Sequence, residues 1–431
     1  AGWNDMTLLL KNFLLCDGGT ETARYGSVMV EGGKIASIGA PEWAPPAAET
    51  VDGRGKAALL PGFVNAHTHA AMSLLRGIGE EAPLMEWLKE KIWPAEAKLK
   101  GEHVSWGTKL ALLEMAANGI TAFGDMYFFM DSVVEASLEM GMKCAVSRGI
   151  VGPEQVKLDE GLQLAETWKG REEFVTVQLA PHAPYTVPLP FLKEIVAAAK
   201  DRNLGIHFHF LEAEWETGYL KDEMKMTPAE YLAASGMPEV RQAVLAHCVW
   251  LDPAVLDEVD FSRMTIAHNP NSNQKLGSGM MDLPGMMEKT RKIALGTDGA
   301  ASNNRLDVWG EMRSAALVSK GISKDPTAVP ARDVLRMATF EGAEALGFEK
   351  KGMIREGWAA DFVMVDLDRP EYVGIDGENA AHFFVYAGSS ADVTGTMVAG
   401  KWLYRDGNFP GADAEKILAK AREMRDNLLK G

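Results

Sequence analysis

Two histidines one residue apart, His67 and His69, close the apolar run PGFVNAHTHAAM. In an extended chain alternate side chains share a face, so both imidazoles point one way and Thr68 the other. Such a pair either shares a metal ion or is a polar strand end bonded to backbone, and alone it divides evenly between the two. Further along stand His207 and His209 in GIHFHFLEAE, His247 in VLAHCVWLD and Asp298 in GTDGAASNN. His67, His69, His209 and Asp298 together make an N/O donor set suited to Zn2+ or Fe2+, with room left for water. A cation held this way brings the pKa of its water toward neutrality, and Asp298 is placed to accept the proton. Seen alone, Asp298 after a strand reads more readily as a helix cap. Glu212 decides for His209 over His207 as ligand, because it then stands beside a substrate as a proton shuttle. Without the histidines it reads as an exposed loop carboxylate near Glu214 and Glu216. His207 is assigned to a place behind the ligands or lower in the core. His247 suits orienting the water and stabilising charge on the attacked carbon, with satisfied burial as its competing role. His182 in APHAPYT and His268 in AHNPNSNQKLGSG are placed to touch substrate, His268 equally to shape its loop through a hydrogen bond.

The elements that must position these groups follow from the hydrophobic pattern. Apolar strand-like runs occur at residues 60–67, 120–126, 143–151, 174–182, 205–210, 243–250, 264–270 and 292–298. Between them lie segments with helical spacing, among them GEHVSWGTKLALLEMAANG, LPFLKEIVAAAKDRN, TPAEYLAASG and DVWGEMRSAALVSKG. Eight strands alternating with helices predict an α/β fold, a (β/α)8 barrel over residues 59–352. Six of the nine histidines (67, 69, 182, 209, 247 and 268) fall at or near the C-terminal ends of these strands, the end where such a barrel carries its active site. The flanks are β-rich instead, with TLLLKNFLL, a Gly-Gly hairpin in SVMVEGGKIASIG, and AALL before the barrel. AADFVMVDLD and TGTMVAGKWLYRDG follow it, with a second hairpin at Ala399-Gly400-Lys401. Residues 1–58 and 353–408 are each short, so they are expected to form one small discontinuous β-sandwich domain. Residues 409–431 read as an amphipathic C-terminal helix packed through Ile417, Leu418, Ala421 and Leu428.

At 431 residues the chain exceeds what one core supports, which fits a large domain with an accessory one. Sixty acidic against 44 basic residues give a net charge of −16 with no concentrated block, which argues against nucleic acid or an anionic membrane as partner. The three cysteines, Cys16, Cys144 and Cys248, are widely spaced, so neither a disulfide framework nor a thiolate metal site is expected, and a cytoplasmic location fits best. No apolar run of membrane-spanning length and no secretory leader is read from the sequence.

PGFVNAHTH, HFLEAE, AHCVWL, AHNPNSNQKLGSG and GTDGAASNN, in this order, resemble the amidohydrolase superfamily along essentially the whole chain. MSLLRGIGEEAPLMEWLKEKIWPAEAKL and the GTDGAASNN run resemble its 5-methylthioadenosine/S-adenosylhomocysteine deaminase branch. The resemblance implies one divalent metal per subunit, most often zinc, held by His67, His69, His209 and Asp298, and a homodimer or homotetramer. It implies hydrolytic deamination of a 5′-modified adenosine to the inosine analogue with release of ammonia. Glu212 would protonate the purine ring nitrogen, Asp298 would pass the water's proton toward departing ammonia, and His247 would support the tetrahedral adduct. Glu96 in WPAEAKL matches the carboxylate that holds the ribose hydroxyls, and Arg148 and His182 match substrate contacts, Arg148 near an amino-acid tail. Without the resemblance Glu96 reads as a helix-surface charge and Arg148 as a strand-end cation. Family members often carry a second arginine shortly after the position of Arg148; here the loop GPEQVKLDEG offers only Lys157, a point charge without the carboxylate-matching fork. Alternatives on the same site are deamination or hydrolysis of a free purine, a pterin or an s-triazine, for which a ribose-binding Glu96 has no use. The H-x-E…P-C-x-x-C pattern of nucleic-acid-editing deaminases is absent. A barrel that has lost its chemistry and serves as a scaffold is disfavoured by the presence of every expected ligand and of Glu212.

Overall fold

The computed structural model describes residues 6–430 except residue 21. Sixteen strands occur among these residues, in two eight-stranded sheets. The central sheet is wholly parallel and runs in chain order: β6 (Phe63–Thr68), β7 (Ile120–Tyr127), β8 (Lys143–Ile150), β9 (Val175–Pro181), β10 (Gly205–Phe210), β11 (Ala243–His247), β12 (Met264–His268) and β13 (Ile293–Leu295). Seven of the eight predicted strands keep their positions, five of them ending one to three residues early because the polar site residues leave the ladder. Helices Gly101–Ala117, Met130–Met140, Gln155–Trp168, Leu189–Asp201 and Pro228–Ser235 connect successive strands, whereas β11 reaches β12 through only a short 3-10 turn, Pro253–Asp257.

No ladder joins β13 to β6 among the described residues; side chains and two peptide groups close the barrel instead. The Asp298 N–H donates to the His67 carbonyl at 2.9 Å. The Thr297 N–H donates to Asn65 Oδ1 at 2.9 Å, the Asn65 amide donates to Thr297 Oγ1 at 2.7 Å, and the Thr68 hydroxyl donates to the Asp298 carbonyl at 2.8 Å. The seam is therefore the place where the first and last site residues meet. Small residues on the strands, Ala66, Ala122, Ala145, Ala267 and Ala294, make room inside the barrel for Leu346 and Phe348, which fill its base.

The predicted strand at 60–67 is two strands. β5 (Ala57–Pro61) belongs to the second sheet and β6 to the barrel, and the break falls at Gly62, whose N–H donates to the Asp361 carbonyl at 2.8 Å. A Cβ there would lie 2.2 Å from Thr121 Cγ2, so only glycine passes between the sheets. The second sheet gathers the chain ends. β1 (Leu8–Leu15) pairs with β2 (Arg24–Glu31), β4 (Glu49–Asp52) and β5, and β2 pairs with β3 (Lys34–Gly39). β5 in turn pairs antiparallel with β14 (Phe362–Asp366), followed by β15 (Val393–Val398) and β16 (Lys401–Arg405). Both expected hairpins form, with Gly32, Gly33, Ala399 and Gly400 at positive φ. One face of this sheet has its own core, built by both ends: Leu8, Leu10, Phe13, Val28, Phe362 and Met397. The terminal helix Ala414–Lys430 buries Ile417, Ala421, Met424 and Leu428; Leu418, expected on that face, is exposed, and Met424 takes its place in the i, i+3/i+4 stripe.

Candidate metal and active site

His67 lies within the last turn of extended chain in β6 and His69 just beyond it, His209 is on β10, His247 ends β11, and Asp298 follows β13. Their side chains converge at one end of the barrel. The ring centroids of His67 lie 4.9 Å from His69, 5.0 Å from His209 and 5.2 Å from His247. Asp298 Oδ1 is 3.3 Å from His67 Nε2 and 3.1 Å from His69 Nε2. Ligand atoms of His67, His69 and His209 lie within 4.8 Å of one another, and so do those of His67, His247 and Asp298.

The partners of the far ring nitrogens orient these imidazoles. His69 Nδ1 donates to the Met126 carbonyl and His209 Nδ1 to the His182 carbonyl at 2.7 Å, which leaves both Nε2 lone pairs facing inward. His67 Nδ1 is 2.8 Å from His207 Nε2, so His207 stands directly behind a candidate ligand, and His67 Nε2 is buried with no hydrogen-bond donor or acceptor of its own. Two inward lone pairs, the desolvated Nε2 of His67 and an adjacent carboxylate oxygen fit a divalent cation of borderline hardness. Burial works against charge on Asp298, but the His67 and His69 imidazoles outweigh it and hold the carboxyl well below its usual range. The second oxygen, Oδ2, accepts from the Ser272 hydroxyl at 2.7 Å and the Ser302 hydroxyl at 2.9 Å, leaving Oδ1 to face the histidines. His247 and Asp298 have φ of +80° and +58°, left-handed backbone that costs of order 1–3 kcal/mol each in ordinary residues and recurs where side chains must be aimed.

These groups open into a cavity of about 260 Å3 whose walls include Leu84, Trp87, Trp93, Met126 and Phe128. Glu212, only 6 % exposed, lines it with Oε2 3.5 Å from His247 Nε2. Burial pushes the Glu212 carboxyl well above its usual range, and the charges of Asp298 and Glu216 add to this. Glu216 is buried and accepts the Ala213 N–H at 2.7 Å, fixing the turn that presents Glu212. Glu96, at the end of the short helix Trp93–Glu96, lines the same cavity, and burial raises its carboxyl to about 7 against the opposing pull of Tyr127 and His69. Tyr185 and His182 complete the wall, His182 Nδ1 lying 2.9 Å from the Thr186 hydroxyl.

Two expected contacts lie elsewhere. Arg148 faces an adjoining groove that shares Trp93, Glu96 and Phe128 with the cavity, and its Nε donates to Glu160 at 2.7 Å. GPEQVKLDEG is no loop: Gln155–Trp168 is helical, so Lys157 sits in a first turn, bonded to Glu154 at 2.8 Å and to the Val151 carbonyl at 3.1 Å while it touches the cavity edge. His268 neither lines the cavity nor ties its loop; both ring nitrogens are buried without a partner among the described residues. Ser272, Ser302 and Glu216 carry no sequence signal of their own: Ser272 lies 26 residues from Asp298, and Ser302 and Glu216 serve groups four and three residues away through turns that no motif marks.

Residues 58–403 match the family model described as the amidohydrolase family. A curated 5-methylthioadenosine/S-adenosylhomocysteine deaminase of Dictyoglomus thermophilum is 42% identical over 384 residues, 88% of this chain and 89% of its own. A 5′-deoxyadenosine deaminase of Methanothermobacter thermautotrophicus is 39% identical over 425 residues, 97% of each chain. Among solved structures, a zinc-bound adenosine deaminase of Xanthomonas campestris superposes with a TM-score of 0.92 at 31% identity, covering 98% of this chain and 99% of its own.

Proposed function

The chain belongs to the amidohydrolase family, and on that footing we propose that it is a hydrolytic deaminase of 5′-modified adenosines, converting the adenine ring to its inosine analogue with release of ammonia. The observation that carries this reading is the presence in one cavity of the histidine–aspartate cluster, a carboxyl biased toward its neutral form (Glu212) and a second, half-buried carboxyl (Glu96) available to a sugar. His67, His69, His209 and Asp298 would hold one divalent cation, for which zinc is our assignment, supported by the N/O donor set and by the zinc in the Xanthomonas campestris enzyme. Such a cation acidifies water at neutral pH.

The chain's own groups do the rest. Neutral Glu212 delivers its proton to the ring nitrogen beside the attacked carbon, which draws electrons out of the C–N bond being attacked. Asp298 Oδ1 takes a proton from the attacking water and later gives it to the departing amino group, so that ammonia leaves. The hydroxyl proton of the adduct returns to Glu212 as the carbonyl forms, restoring the starting protonation states. His247 holds the new oxygen. Trp87, Trp93 and Phe128 keep bulk water from the ring, and Glu96 accepts from ribose hydroxyls, the feature that favours a nucleoside over a free base.

Zinc-loaded protein should deaminate 5-methylthioadenosine, S-adenosylhomocysteine or adenosine, followed by absorbance and ammonia, with guanine left unchanged. Turnover of free bases without nucleoside turnover would overturn the reading. Glu212→Gln should retain the metal and lose about 100- to 10,000-fold in kcat; undiminished activity would remove Glu212 from proton transfer.

A further inference from the structure

Four imidazoles crowd the site, and the structure distinguishes one of them by what lies behind it. Behind His69 and His209 stand backbone carbonyls, which force Nδ1 to carry the proton. Behind His247 stand two side-chain amides: Asn273 Nδ2 at 2.9 Å and Asn269 Nδ2 at 3.3 Å from His247 Nδ1. The orientation of the Asn269 amide is fixed independently, because the same Nδ2 donates to the Ala267 carbonyl at 2.9 Å. Turned over, its oxygen would face that carbonyl. Its Oδ1 instead occupies the space beside Gly296, where a Cβ would come within 2.4 Å of it. Asn269 therefore presents an N–H to His247, whose Nδ1 must accept, and the ring proton sits on Nε2.

We infer that Asn269 and Asn273 are positioning residues that lock His247 in its Nε2–H tautomer, making it a hydrogen-bond donor toward the reacting oxygen and withholding it from the metal. The inference rests on the proposed deaminase reading for the oxygen, but the tautomer itself does not depend on it. His247 Nε2–H points toward Glu212 Oε2, 3.5 Å away, on the cavity side. A lone pair in the same place would add a fourth imidazole to the ligand set and leave nothing to donate.

Long-range 1H–15N spectra of metal-free protein labelled with 15N-histidine test this directly, with His247 assigned by its disappearance in His247→Asn. A protonated Nε2 and unprotonated Nδ1 are expected. Asn273→Asp replaces the donor with an acceptor and should move a proton to Nδ1, with a fall in kcat of at least about 100-fold, KM within threefold and metal content unchanged, as for other wrong-tautomer histidines. Asn273→Ala leaves Asn269 in place and should cost less than tenfold. A protonated Nδ1 in the wild type, or Asn273→Asp within threefold of wild-type kcat, overturns the inference. Absence of nucleoside turnover by the wild type, with the expected spectrum, would instead overturn the proposed function alone.

Discussion

Glu160 determines how much of Arg148 is left for a ligand. The guanidinium donates through Nε to Glu160 and through Nη1 to the Gly149 carbonyl, and it lies 5.3 Å from the centre of the Phe128 ring. The edge that would meet a carboxylate with two parallel bonds is therefore partly used. Lys157 is likewise held by Glu154, so both cations near the mouth are neutralised within the protein. Trp93, Phe128, Met130 and Leu164 give that groove an apolar wall, beside Glu96, Asp131 and Gln163, and the wall suits an uncharged 5′-substituent. Glu160 is about half exposed, which limits the strength of its pair with Arg148. Glu160→Gln should raise kcat/KM for S-adenosylhomocysteine relative to 5-methylthioadenosine by roughly three- to tenfold. A fall in that ratio would mean that Glu160 receives the ammonium of the tail and does not compete for Arg148.

Among the elements, β6 has the least freedom, since it carries His67, runs directly into His69 and starts immediately after the crossing between the sheets at Gly62. A Cβ at that position meets Thr121, and Thr121 has little room to yield: it is β-branched, it donates to the Phe63 carbonyl at 3.2 Å and it accepts from Lys351 Nζ at 2.6 Å. Gly62→Ala should cost about 1–3 kcal/mol in urea unfolding and weaken metal retention, and Thr121→Ala in the same chain should recover part of both. Equal stability of Gly62→Ala and wild type would show that the strands separate freely. The same strand marks the limit of what the sequence made legible. The barrel strands, the terminal hairpins and the convergence of His67, His69, His209, His247 and Asp298 could be read because strand alternation and strand ends are local properties. The break at Gly62 was hidden inside one continuous apolar run, since its cause, Thr121, lies on a strand far away in sequence. The helix at Gln155–Trp168 was missed because a start at Gly-Pro-Glu looks like loop, although Leu158, Gly161 and Leu164 supply its buried face. Asn269, Asn273 and Ser272 stand in motifs visible in the sequence, yet the atoms they serve lie 22 to 26 residues away, and Ser302 meets Asp298, four residues back, only through the turn between them.

Across the whole molecule, the terminal sheet and the barrel are joined by buried charge. Asp361 Oδ2 lies 2.8 Å from both Lys143 Nζ and Lys351 Nζ, and its Oδ1 accepts the Ala399 N–H at 2.7 Å. All three side chains are at most 4 % exposed. Burial opposes the charge on Asp361, but the two ammonium groups outweigh it and hold its carboxyl far below the usual range; burial brings Lys351 down to about 8. Asp361→Asn leaves both ammonium groups without a counter-charge and should destabilise by about 3–5 kcal/mol at pH 7 in urea titration. Because the folded pKa of Asp361 is depressed, its contribution is complete above the unfolded value and declines as pH falls toward the folded one, so the gap between wild type and variant should narrow below about pH 4. A gap that stays constant down to pH 2 would show that the carboxylate is not the source of the stability. The antiparallel pairing of β5 with β14 also sets a timetable. About 300 residues separate the two strands, and at roughly 5–20 residues per second a ribosome takes tens of seconds to supply the second after the first. Throughout that interval Leu8, Leu10, Phe13 and Leu59 lack Phe362, Met364 and Met397, so the nascent chain carries an uncovered apolar sheet edge, a natural point of engagement for chaperones.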